Sequence, residues 1–101
     1  MSPPSTTHLQ AAVLSALVSV EAAGHEIRAV LLAEHGIKKS GPGFYQMMAR
    51  MEDAKLVKGW YENTTVGDQI VRERRYKITA GGRRAARQYF EFATGLNLGF
   101  A

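Results

Sequence analysis

A mainly α-helical fold with one small β-hairpin is predicted by three observations. Apolar residues recur at helical spacing in three successive segments before residue 54. The period changes to extended between Val57 and Ile78, and helical spacing returns after Thr79. The residues account for each element in turn.

Ser2 to Thr7 is a Pro, Ser and Thr stretch with nothing to bury, so residues 1–7 are expected to form a flexible N-terminal arm, with structure starting near His8. From Leu9 to Val20 the only polar residues are Gln10, Ser15 and Ser19, which predicts a helix apolar on nearly every side. Such a helix needs two surfaces to pack against, its own core and, in so small a domain, a second subunit. Gly24 interrupts the pattern, and a second helix follows with Ile27, Val30 and Leu31 at helical spacing. Gly36 is placed to end it in a left-handed cap. After the turn Ile37-Lys38-Lys39, Ser40 is a good N-cap and Pro42 suits the first turn of a third helix. Phe44, Met47, Met48 and Met51 give that helix one apolar face, read as core.

Val57 to Glu62 is strand-like, Asn63 to Gln69 has turn composition, and a second strand is expected from about Ile70 to Ile78. In that strand Arg72, Arg74, Tyr76 and Ile78 share one face, and Val71, Glu73, Arg75 and Lys77 the other. Thr79 caps a fourth helix running to about Gly95, with Ala86, Tyr89, Phe90 and Ala93 on one side. Helix, helix, tight turn, helix and hairpin is the order of a winged helix-turn-helix: a three-helix core, a two-stranded wing and, here, a C-terminal dimerisation helix. The expected division is arm 1–7, DNA-binding domain 8–79, and dimerisation helix with tail 80–101.

Charge is unevenly spread along the 101 residues. Met1 to Ile37 holds one Arg against three Glu, whereas Lys38 to Arg87 holds twelve Lys and Arg against five Asp and Glu. A basic half joined to a mildly acidic half suits an anionic partner, of which nucleic acid is the commonest. The chain contains no cysteine, which excludes disulfides, thiolate metal sites and thiol nucleophiles and suits a reducing cytoplasm. No apolar run approaches the roughly 20 residues that span a bilayer, and the first residues lack a secretion signal, so no membrane partner is expected.

Enzyme chemistry finds no footing. His25-Glu26 is not followed by a second His at metal-ligand spacing, and His8, His25 and His35 read as surface or partly buried residues. Gly41 and Gly43 lack the third Gly of a dinucleotide loop, and no Gly-Lys-Ser/Thr follows a Gly-rich loop. Glu52-Asp53 is read as solvated at a helix end. Neither cofactor nor metal is expected.

The third helix leaves Gly43, Tyr45, Gln46, Ala49 and Arg50 outward, and an α-helix fits the major groove by width. Gln pairs with an adenine edge, Arg with guanine or phosphate, and Tyr with phosphate. Lys38 and Lys39 in the turn, Ser40 and Gly43 at the helix start, Tyr45, Gln46 and Arg50 along it, and Arg72, Arg74 and Arg75 on the wing form the expected DNA-binding set. The alternative is a winged-helix module that docks a protein and never reads DNA, or a strand guarded by charge against edge pairing. Leu9, Val13 and Leu17 on the first helix, with Tyr89, Phe90, Ala93 and Leu96 near the C terminus, are the expected dimerisation residues.

The stretches Gly24-His25-Glu26-Ile27, Ser40 to Glu52, Leu56-Val57, and Arg75-Tyr76-Lys77-Ile78-Thr79 with Gly82-Arg83 together resemble the PadR-like transcriptional regulators. Ser40, Tyr45 and Arg50 correspond to the family's helix-starting Ser, recognition-helix Tyr and Arg. His25 stands where Tyr is usual and Gln46 where Pro is common, so base preference does not carry over. The resemblance implies a DNA-binding repressor that dimerises through its first and last helices, and a two-fold symmetric dimer with one recognition helix per subunit is expected to read an inverted repeat in double-stranded DNA. The resemblance also implies a small aromatic effector as a partner, for which Trp60, Tyr89, Phe90 and Phe92 offer surface that core packing explains equally well.

Overall fold

The computed structural model describes residues 6–99, and side chains as far as residue 95. The chain runs α1 (His8–Ala16), β1 (Ala22–Ala23), α2 (Gly24–His35), α3 (Gly41–Asp53), β2 (Val57–Val66), β3 (Gln69–Ile78) and α4 (Ala80–Gly99). This is a winged helix-turn-helix, with one more strand than expected. β1 pairs antiparallel with β3, Ala22 opposite Tyr76 and Ala23 opposite Arg75, giving a sheet of order β1-β3-β2. Two alanines carry no local strand signal, so only pairing with β3 makes them a strand.

Thr7 opens α1 through a capping box: its hydroxyl accepts from the Gln10 N–H, and the Gln10 amide oxygen accepts from the Thr7 N–H, both at 3.1 Å. Thr6 is buried. The last two residues of the expected arm therefore belong to the folded domain, and residues 1–5 lie outside the described ones. The helix ends at Ala16, short of the expected Val20, because the β-branched Val18 and Val20 are poor helix formers and the chain must straighten to reach β3.

Gly36, at φ +64°, terminates α2 as expected. The Ser40 hydroxyl accepts from the Gly43 N–H at 3.2 Å and starts α3, and the Arg28 guanidinium donates to the Lys39 carbonyl at 3.1 Å, tying the turn to α2. α3 ends unusually, with Lys55 left-handed at φ +63° and the Leu56 N–H donating back to the Met51 carbonyl.

The hairpin is longer and its turn tighter than expected. Val66 pairs with Gln69, so Gly67 and Asp68 alone make the turn, and Gly67 at φ +62° supplies the conformation that a two-residue connection needs. Asn63 to Val66, read as turn, are strand residues, in keeping with the β preference of Thr64, Thr65 and Val66. Thr79 caps α4 by accepting from the Gly82 N–H at 2.9 Å, while its hydroxyl donates to the Lys55 carbonyl at 2.5 Å. α4 extends to Gly99, beyond the expected Gly95. No helix among the described residues is long and apolar enough to cross a membrane.

The core gathers Leu14, Ile27, Leu31, Phe44, Met48, Met51, Tyr76 and Ala86 from the helices and the sheet, with the Met stripe of α3 fully used. α1 packs against both α2 and α4. That sandwich alters the assembly argument. Val13 and Leu17, expected to face a second subunit, are 0% and 2% exposed within one chain. Intramolecular packing consumes them: α4 folds back over the helix side that seemed to need a partner.

Candidate nucleic-acid interface

α3 divides into a buried and an open face because its apolar residues recur with the helical period. Phe44, Met47, Met48 and Met51 point into the core, and Tyr45, Gln46, Ala49 and Arg50 are exposed. Lys38 and Ser40 are exposed at its start, with Lys39 and Gly43 half-buried. Gly43 has a structural reason to be Gly, since a Cβ there would lie 2.9 Å from the Ser40 hydroxyl that caps the helix. The Tyr45 ring lies edge-on to Phe44 and directly over Gly24, where a Cβ would fall 2.6 Å from the Tyr45 hydroxyl. Gly24, read in the sequence only as a helix boundary, thus makes room for the Tyr.

Across an open cleft from this face runs one side of the wing. Tyr45, Ala49 and Glu52 of α3 face Tyr61 of β2 and Arg72, Arg74 and Tyr76 of β3. The antiparallel register sets Tyr61 opposite Arg74, and the Arg72 guanidinium stacks 4.2 Å from the Tyr61 ring centroid. Among the described residues no carboxylate comes within ion-pair distance of Arg72. Arg74 differs, because Glu52 accepts a hydrogen bond from it at 2.6 Å. Glu52 is therefore not the solvated helix-end residue the sequence suggested, and no local signal could reveal a partner 22 residues away.

Arg75 lies on the opposite face of the sheet, and its side chain is 19% exposed. Glu62 lies 3.1 Å from it, Glu73 3.5 Å and Glu26 3.6 Å. The structure does not bring it together with Arg72 and Arg74, and its charge is spent on acidic neighbours. Glu73 also accepts from the His25 ring at 3.0 Å and from the Thr64 hydroxyl at 3.2 Å. The His25 hydrogen bond first, then those of Thr64 and the nearby charges, hold the Glu73 carboxyl below its ordinary value against the opposing effect of burial.

The expected dimerisation residues separate in the same way. Leu9 is half-buried against the core, and Tyr89 shares a hydrogen bond with the His8 ring at 2.7 Å. Phe90 is 47% exposed, edge-on to Tyr89, with Ala93 half-buried one turn on. The Leu96 side chain lies outside the described residues. Of the other rings considered for an effector, Trp60 and Phe92 are half-buried, on β2 and α4.

Helices packed on a small antiparallel sheet, with the β2–β3 hairpin standing beside the open face of α3, define the class of winged helix-turn-helix proteins. No protein-family model and no curated protein matches the chain. Solved structures do match. A PadR family transcriptional regulator from Eggerthella lenta is 27% identical, with a TM-score of 0.72 over 91% of this chain and 77% of that one. A PadR-like regulator from Bacillus cereus has a TM-score of 0.76 at 20% identity, over 91% and 86% of the two chains. Bacillus subtilis PadR, solved in complex with operator DNA, has a TM-score of 0.68 at 18% identity over 84% of this chain. The match spans 48% of that longer protein. These last two likenesses concern the fold alone. The chain is PadR-like.

Proposed function

We infer that the chain is a DNA-binding transcriptional regulator that inserts α3 into a major groove and lays the wing along the neighbouring phosphates. The observation that carries this reading is the continuous exposed face of Tyr45, Gln46, Ala49 and Arg50, with the unpaired Arg72 across the cleft from it. In this reading Gln46 and Arg50 read base edges, while Lys38, Lys39, the backbone N–H groups of Ser40 and Gly41, Tyr45 and Arg72 hold phosphates, and Gly43 lets the backbone come close. Arg74 stands beside them, tied to Glu52.

The chain acts as a homodimer. Phe90 and Ala93 form an apolar strip on α4, flanked by the opposite charges of Arg87 and Glu91, a pattern that complements itself across a two-fold axis. Two α3 helices related by that axis read an inverted repeat with half-sites about one helical turn apart, and repression is the outcome the family resemblance favours. Competition gels with duplexes from the chromosomal region upstream of the coding sequence test this. Gln46→Ala and Arg50→Ala are expected to weaken the retained duplex by about 1 to 3 kcal/mol more than a scrambled one. Equal losses on both duplexes would make these phosphate contacts.

A second reading has one observation in its favour. The wing tip carries Val66, Ile70 and Val71, exposed by 60%, 74% and 39%, beside Asp68, and an apolar tip suits docking to a protein. Duplex binding unaffected by Ile70→Ser but abolished by Arg72→Ala would assign the tip no part in DNA binding.

A further inference from the structure

We propose that Glu52 sets the phosphate affinity of this interface by holding Arg74 on the protein, so that Arg72 alone of the two groove-facing wing arginines pairs with phosphate. The inference rests on the DNA-binding reading of the cleft.

The ion pair is built into the fold. Glu52 stands in the last turn of α3, and its carboxylate reaches across β2 to the Arg74 guanidinium at 2.6 Å, both side chains being 25% exposed. It crosses at Gly59. A Cβ at Gly59 would lie 2.6 Å from the Glu52 oxygen and 2.8 Å from the Arg74 nitrogen, so the pair forms only where β2 has no side chain. The Tyr61 ring, its centroid 4.8 Å from the guanidinium, and the Tyr76 ring at 5.7 Å frame the same group. Burial works against the Arg74 charge, but the hydrogen bond and charge of Glu52 outweigh it and raise its pKa.

A phosphate that recruited Arg74 would have to break this charge-assisted bond and leave a bare carboxylate beside the DNA. Nonspecific binding consists almost wholly of phosphate contacts, whereas specific binding adds base contacts. Withholding one cation therefore lowers the affinity for random duplexes and for the operator by the same factor, and leaves the base contacts of α3 to decide between them. It also locks the wing to the end of the recognition helix.

The test is binding of the full chain to a short mixed-sequence duplex, titrated from ~50 to ~200 mM salt. Wild type, Glu52→Gln, Arg74→Ala and the double variant are compared. Glu52→Gln keeps the shape and frees the arginine. It is expected to steepen the log–log salt slope by about 0.9 and to tighten binding by up to roughly tenfold at the lowest salt. Arg74→Ala alone leaves the slope at the wild-type value, and the double variant returns to it. Glu52→Ala steepens the slope in the same sense, and a gain of binding is not what a misfolded chain produces. A double variant that binds as tightly and with as steep a slope as Glu52→Gln overturns the proposal, because the carboxylate would then act by plain repulsion. So does a slope that Arg74→Ala alone makes shallower by one unit. Duplex binding by the wild type with no response to Glu52→Gln overturns this inference only, whereas a wild type that binds no duplex removes the DNA reading as well.

Discussion

Leu17 and Phe90 look alike in the sequence, two large apolar residues on helices expected to meet a second subunit, yet the fold gives them opposite duties. Leu17 is 2% exposed inside one chain and Phe90 is 47% exposed. Leu17→Ala removes three buried carbons, about 2.4 kcal/mol at ~0.8 kcal/mol each, and the cavity left between α1 and its neighbours raises the loss to about 3 to 5 kcal/mol. A domain of this size has about 5 to 15 kcal/mol in all, so the melting temperature should fall by roughly 12 to 25 °C. Phe90→Ala should cost the single chain only about 1 kcal/mol, because half of the ring is already in water. Its effect should instead appear in the assembly. Circular dichroism melts over a wide range of protein concentration, paired with sedimentation, separate the two. Leu17→Ala should melt early at every concentration, and Phe90→Ala should abolish the concentration dependence and sediment as a monomer. A Leu17→Ala chain that is monomeric but melts like the wild type would place Leu17 between subunits and refute the packing argument.

Other positions offer equally direct tests. A Cβ at Gly82 would collide with the Leu56 carbonyl oxygen, so Gly82→Ala must push α4 away from the connection between α3 and β2. A loss of about 3 kcal/mol in urea unfolding is expected, and an unchanged midpoint would contradict that contact. Lys55 holds a left-handed conformation that Gly adopts freely, so Lys55→Gly should stabilise the chain by about 1 kcal/mol; destabilisation would mean that the Lys side chain makes a compensating contact. The Glu73 carboxyl is held below its ordinary 4.5, so its contribution to stability is fully present above that value and is lost as pH falls through the lower folded value. Glu73→Gln should therefore flatten the acid side of the stability profile below about pH 4.5, and superimposable profiles would remove the His25 contact from the account.

Signals contained within a few residues were legible before the structure. Gly36 as a left-handed cap, Ser40 and Thr79 as N-caps, the Met stripe of α3 and the change of period at Val57 each depend on neighbours within one or two helical turns, and each stands in the fold as its residues dictate. The order of elements followed, and with it the outward face of α3. What the chain could not reveal locally were contacts between residues far apart in sequence. Ala22 and Ala23 become a strand only because Tyr76 and Arg75 lie beside them. Val13 and Leu17 are covered by helices of their own chain, so an apolar surface that suggested a dimer is core instead. Among three wing arginines of identical chemistry, tertiary packing decides the charge each has to offer: Glu26, Glu62 and Glu73 surround Arg75, Glu52 holds Arg74, and Arg72 is left to the solvent side of the cleft. Composition counts charges, but their availability depends on which side chains the fold brings within an ion-pair distance, and that is a property of three-dimensional neighbours alone.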